Sequence, residues 1–199
     1  MQRLLSIGIV FALVGFAQSL SAHLMVAQRG TLNITDKGVY MVLSLPASAF
    51  ADESIDANAD TLLQSTEMLE HRLSIMATIK DDVLMICDQQ VFSLEGIMLT
   101  PVNKGYEDHH HDNSSNSEAA DHENSAVVDQ LIVMGVFPVL CSEKLPLFFQ
   151  ASLLGEEPAE QLLTVVAKRH NTPKILEFEL TPNRNRVKLE LTDTKNTDL

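Results

Sequence analysis

Along most of the chain, apolar and polar positions alternate in short runs broken by turn residues, the pattern of strands half buried in a core. Residues 23–34 and 39–45 are rich in β-branched and long apolar side chains, and Thr35-Asp36-Lys37-Gly38 between them predicts the turn of a hairpin. Pro46 closes the second strand. Strand signals recur at 83–87, 90–94, 97–102, 147–154, 162–167, 176–180 and 187–191, with Thr181-Pro182-Asn183 turning between the last two. Residues 127–140 form an apolar stretch longer than one strand needs. One segment breaks the rhythm. Met68, Leu69, Leu73, Ile75, Met76 and Ile79 recur at spacings of three and four, which predicts an amphipathic helix capped by Ser65 or Thr66 with Glu67 at its positive end.

About nine short strands and one helix describe a mainly β protein, an antiparallel β-sandwich with a helical insertion over 47–80. A closed barrel is the alternative, because counting strands does not separate the two. A length of 199 residues suits a single domain, here 23–191. Residues 105–125 are polar throughout and predict a long loop, and 192–199 read as a disordered tail.

The first 22 residues follow a different logic. Arg3 gives a basic start, residues 4–17 are apolar but for Ser6, Gly8 and Gly15, and Gln18-Ser19-Leu20-Ser21-Ala22 offers small residues to a peptidase. A membrane span wants about 20 apolar residues, so the segment predicts a signal peptide cleaved near Ala22, with an uncleaved anchor as the alternative. No later stretch is apolar enough to span, so the product is expected to be exported, periplasmic and free of a membrane span. In an oxidising compartment the two cysteines, Cys87 and Cys141, predict a disulfide rather than a redox or zinc motif. Closing a loop of about 55 residues would restrict the unfolded chain by roughly 4 kcal/mol. Two buried thiols on neighbouring strands are the alternative.

Charge narrows the partners. With 27 acids against 14 bases the formal balance is −13, which argues against nucleic acid and against anionic membrane surfaces. Cations and basic partners remain.

Three places carry metal-ligand chemistry. The twelve residues from Asp56 to Glu67 follow the plan of an EF-hand calcium loop: oxygen side chains at Asp56, Asn58 and Asp60, a backbone carbonyl at Leu62, Gln64 at the ninth position and a bidentate acid at Glu67. Leu63 takes the apolar eighth position. The sixth position, normally Gly because the chain turns there with positive φ, is Thr61, and a β-branched residue in that conformation costs about 1–3 kcal/mol. Only about one turn of entering helix precedes the loop, and a degenerate, solvated acidic loop capping the helix is the alternative. The second place is Glu107-Asp108-His109-His110-His111-Asp112 with Asp121-His122-Glu123, where four of the seven histidines sit among acids. Neutral imidazole suits nickel, zinc and copper, and flanking carboxylates raise its basicity, so this reads as an ion-capturing loop, with a solvated insertion as the alternative. The third is His23, which cleavage after Ala22 would make the amino terminus, able to chelate copper through its amine and ring nitrogen together.

Catalytic arrangements are missing from the sequence: it has no Gly-x-Ser-x-Gly, no His-Glu-x-x-His and no phosphate-binding glycine loop. His71 and His170 are the histidines left for chemistry, and no enzyme is expected. Asn33 and Asn113 match glycosylation acceptors, relevant only in a eukaryote.

His23-Leu-Met-Val-Ala-Gln-Arg-Gly-Thr-Leu-Asn, then Val42-Leu-Ser-Leu-Pro-Ala-Ser-Ala-Phe, the Asp56–Glu67 loop and Glu160-Gln-Leu-Leu-Thr-Val together resemble a group of poorly characterised exported Gram-negative proteins. The resemblance runs along most of the chain after the leader. It implies a periplasmic β domain with an EF-hand-like insertion, loosely associated with nickel/cobalt permease-like membrane proteins, and it carries Asp56, Asn58, Asp60 and Glu67 over as ligand positions. Thr61 departs from that pattern. The expectation is therefore a non-enzymatic, periplasmic metal-binding or metal-delivery accessory protein, partnered by metal ions and by an inner-membrane metal transporter or another envelope protein. The competing expectation is a structural or protein-interaction module of the envelope.

Overall fold

The computed structural model describes residues 27–50, 52, 54–56, 60–104, 126–142 and 145–190. The expected leader, His23, the histidine-bearing stretch and the tail lie outside them.

Each predicted strand run yields one strand. In chain order they are β1 (Arg29–Thr35), β2 (Gly38–Pro46), β3 (Val83–Cys87), β4 (Gln90–Ser93), β5 (Glu95–Asn103), β6 (Val128–Phe137), β7 (Leu147–Ala151), β8 (Leu163–Arg169), β9 (Ile175–Leu180) and β10 (Arg186–Lys188). They form two sheets, six strands in the order β5-β6-β2-β1-β8-β9 and four in the order β10-β7-β3-β4. The fold is a mainly β sandwich, and neither sheet closes into a barrel. The hairpin β1–β2 keeps full register from Gly30↔Leu43 to Thr35↔Gly38. The single parallel pairing in these sheets, β1 with β8, joins the two ends of the sequence at the sheet's middle.

Residues 127–140 give one long strand, not more than one: β6 pairs with β2 on one side and β5 on the other, and Pro138 stops the ladder after Phe137. β9 and β10 follow each other through the Thr181–Arg184 bridge, yet β10 leaves its predecessor's sheet and pairs with β7.

Alternation decides what is buried. Met41, Leu43 and Leu45 of β2, Leu131 and Val133 of β6, and Val165 and Ala167 of β8 turn to the inner face against Met85 of β3 and Phe149 and Ala151 of β7. Three rings stitch the layers together. Phe149 of the smaller sheet meets Phe137 and Phe178 of the larger one edge-on, with centroids 6.4 and 6.2 Å apart. Gly135 interrupts the apolar alternation of β6 for a steric reason: a Cβ there would lie 2.7 Å from Leu94 Cγ and 2.9 Å from the Glu95 carbonyl.

The predicted helix forms in two pieces, α1 (Ser65–Glu70) and α2 (Arg72–Asp82), separated at His71. Two expectations fail here. The N-cap is Gln64, not Ser65 or Thr66, because Gln64 and Glu67 exchange backbone and side-chain hydrogen bonds in a capping box. The apolar stripe also splits. Met68, Ile75 and Ile79 are buried, whereas Leu69 and Leu73 are 61% and 81% exposed. Helical spacing accounts for the split: Met68, Ile75 and Ile79 share one face, and Leu69 and Leu73 lie about 100–140° around the axis from it.

Candidate functional site

Register places the candidate loop. Pro46 at the end of β2 pairs with Gln130, and Asn103 at the end of β5 pairs with Val128. The loop after β2, the root of the 105–125 stretch and the start of α1 therefore share one end of the sandwich. The other end carries the β1–β2 turn, the β8–β9 turn and the disulfide.

Chain leaves β2 through a 3-10 turn at Ala47–Phe50 that sinks Phe50 into the core. The Ile55 and Asp56 amides both donate to the Asp52 carbonyl, each at 2.9 Å, so the entering helix amounts to one turn. Asp52 itself is braced by Ser54. The Ser54 hydroxyl holds the Asp52 carboxyl below its ordinary 3.8, against a small opposing effect of desolvation; the backbone amides of Ser54 and Ile55 and the charge of His71 add to the lowering.

In the loop proper, the Asp56 carboxylate accepts the Thr61 amide at 2.7 Å and the Asp60 amide at 3.2 Å. Asp60 accepts the Leu62 amide at 2.8 Å and the Gln64 side-chain amide at 3.2 Å. Thr61 takes φ 64, the left-handed conformation that the sixth position of a calcium loop requires. Its hydroxyl donates to the Asp60 carbonyl at 2.6 Å, a local bond that offsets part of the strain. Leu63, at the eighth position, is 2% exposed and belongs to the same core cluster as Phe50 and Ile55.

The exit half is tied to the sheet. Val128 donates to the Leu63 carbonyl at 2.8 Å, Ser65 donates to the Ala126 carbonyl at 2.9 Å, and Gln64 and Val127 form an isolated antiparallel bridge. Glu67, at the twelfth position, is buried and accepts the Gln64 amide at 2.9 Å. It therefore caps α1 while standing where a bidentate ligand belongs.

The fit to a calcium ion is split. The backbone turn at Thr61 fits. The acids do not: among the described residues no group of three or more His, Cys, Asp or Glu side chains is gathered closely enough to hold an ion. Asn58, His23, His109, His110, His111 and His122 lie outside the described residues. The two remaining histidines stand apart. His71 separates α1 from α2 at the loop end, and His170 follows β8 at the opposite one, its amide donating to the Ile34 carbonyl at 2.7 Å.

Cys87 and Cys141 are bonded, with Sγ atoms 2.05 Å and Cα atoms 5.8 Å apart. The bridge fastens the β6–β7 connection to the end of β3. What sequence reading missed is the open cavity of about 770 Å³ that this connection walls, between the β1–β2 and β8–β9 turns. Of its basic lining, Arg169 and His170 sit in a run from 161 to 176 that holds no acid.

No protein-family model matches this chain, and no curated protein matches it significantly. The resemblance to exported proteins associated with nickel/cobalt permease-like proteins stays a reading of the sequence.

Proposed function

We propose that this is a non-enzymatic, periplasmic metal-binding or metal-delivery accessory protein in which the Asp56–Glu67 loop takes a hard cation of the calcium class. The observation that carries the reading is Thr61 at φ 64, with its amide on the Asp56 carboxylate. A β-branched residue enters that conformation at a cost, so the loop turns as a calcium loop even where its sequence disfavours the turn. An ion would draw Asp56, Asp60 and Glu67 together against their mutual repulsion, supplying the gathering that the carboxylates lack alone. Binding is correspondingly weak. The histidines at 109–111 and 122 form the second, transition-metal part of the proposal, carried by their clustering among acids and by the chemistry of imidazole.

The test is titration of the purified chain with calcium, nickel, zinc and copper, read by native mass spectrometry and calorimetry. One calcium that is lost in Asp56→Asn/Asp60→Asn, and transition-metal uptake that falls on deleting 107–123, are the expected results. A chain that stays metal-free at micromolar exposure to all four ions overturns the proposal.

A second reading has an observation of its own. Leu62, Leu69 and Leu73 stand 43%, 61% and 81% exposed on the loop and its two helices. An apolar patch of that kind suits a protein-interaction module of the envelope. One stoichiometric envelope partner, retained in chelator and lost in Leu69→Asp/Leu73→Asp, would favour it.

A further inference from the structure

The sandwich has an open side where its two sheets part. β9 is the outermost strand of the larger sheet and β10 that of the smaller one. They follow each other through the Thr181–Arg184 bridge, after which β9 pairs with β8 and β10 with β7. Each strand gives one edge to its own sheet and turns the other to the gap between them. Among the described residues, Ile175–Leu180 makes no backbone hydrogen bond outside its ladder with β8, so alternate amides and carbonyls of β9 face outward with no strand to pair them. The gap is a cleft of about 590 Å³ walled by Leu176 and Phe178 of β9 and Val187 of β10. Phe178 and Val187 belong to the core, and Leu176 packs against it half-buried.

Alternation gives this edge two faces. Leu176, Phe178 and Leu180 turn inward, whereas Ile175, Glu177 and Glu179 are exposed. An open edge invites a second copy of itself, and charge works against that here. Two β9 strands paired antiparallel about Phe178 would set Glu177 of each against Glu179 of the other, and like charges directly opposite destabilise a pair. A strand with basic residues at those places gains where the second copy loses. The ion pairs already at the cleft, Arg29 with Glu177 at 3.7 Å and Lys188 with Glu190 at 3.0 Å, leave more than half of each side chain exposed, so they are weak competitors. Glu179 takes part in neither.

We propose that the free edge of β9 accepts an extended peptide as a seventh strand, one whose basic residues stand opposite Glu177 and Glu179 and whose intervening apolar residues enter the cleft of Leu176, Phe178 and Val187. Main-chain hydrogen bonds supply the affinity of such an addition, and the alternating side chains supply its selectivity. The site shares no residue with the Asp56–Glu67 loop or with the patch of Leu62, Leu69 and Leu73, and it depends on neither.

NMR titration of the isotope-labelled chain tests this with three synthetic heptapeptides: alternating lysine and valine, alternating glutamate and valine, and the lysine peptide with every amide N-methylated. The lysine peptide is expected to give saturable shifts confined to β9 and β10 and to slow hydrogen exchange at alternate β9 amides. The glutamate peptide should bind about tenfold or more weakly, and the N-methylated one should not bind. Glu177→Lys/Glu179→Lys should reverse the preference, so that the glutamate peptide binds the tighter. Both side chains are exposed, so the variant should fold, and an unchanged unfolding midpoint checks that it does. Equal binding of the lysine and glutamate peptides, or an unreversed preference in the variant, overturns the charge assignment. An N-methylated peptide that binds as well as its parent overturns strand pairing. Shifts that fall on the Asp56–Glu67 loop instead of β9, or no saturable shift at all, overturn the site itself.

Discussion

The two ends of this sandwich solve the same problem in different ways. Each must hold irregular backbone over the rim of a β core, where ladder hydrogen bonds run out. The disulfide end uses a covalent bond: Cys141 is fixed to Cys87, and the Asp88 amide donates to the Pro146 carbonyl beside it. The loop end uses carboxylates as acceptors for backbone amides, with Asp52, Asp56, Asp60 and Glu67 each taking at least one. Covalent fastening leaves side chains free to line a cavity. Carboxylate fastening spends the same oxygens that a cation would need, so that end is tied to its own backbone.

The largest break in this comparison comes from the bridge. Replacing Cys87 and Cys141 by Ser should cost about 4 kcal/mol, on the loop-closure account for a separation of 54 residues. Urea unfolding with and without the substitutions measures it, and a loss under about 1 kcal/mol would show that the end is held by packing instead. At the other end the comparable anchor is apolar. Leu63→Ala removes a side chain 2% exposed and should cost about 3 kcal/mol, taking cation binding with it. Chemical denaturation against calcium concentration separates the two effects. If stability falls while affinity holds, Leu63 anchors the core alone.

Much of the fold was legible because alternation survives wherever a strand has one wet face. β2 and β8 are read directly from their side chains, and so is the turn Thr35–Gly38, whose Thr35 hydroxyl donates to the Gly38 carbonyl at 2.9 Å. The left-handed turn at Thr61 was legible as the conformation that the EF-hand pattern asks of its sixth position. Other features depend on distant parts of the chain. Nothing local places β10 beside β7, or makes Gly135 the slot for Leu94. Leu69 and Leu73 read as core and stand outside it because the stripe was drawn too wide: Met68, Ile75 and Ile79 alone share one helical face. The cavity was illegible because its walls come from residues more than 100 positions apart, joined by a sheet and a bridge.

A smaller change sharpens the comparison from the loop side. Thr61→Gly releases a strain of about 1–2 kcal/mol but gives the unfolded chain about 0.5–1 kcal/mol more freedom and loses the hydroxyl bond to Asp60. The expected net is a gain of about 0.5 kcal/mol in thermal unfolding, with a several-fold tighter calcium affinity by calorimetry. A variant that gains stability without affinity would mean that the turn was strained for a reason other than an ion.

The smallest effect asks whether the carboxylate fastening is electrostatic at all. Asp52 has a carboxyl held below 3.8, chiefly by the Ser54 hydroxyl. A lowered folded value means that the ionised form stabilises the fold above the unfolded pKa, and that this contribution fades as pH falls through the folded one. Asp52→Asn keeps an acceptor for Ser54 and removes the charge. Its deficit against the parent chain should be constant above the ordinary carboxylate range and shrink as pH falls through the lowered folded value. The side chain is exposed, so the deficit is small and falls further in high salt. A deficit that persists unchanged in acid would assign Asp52 to shape rather than charge, and the loop end would then differ from the disulfide end only in the kind of bond.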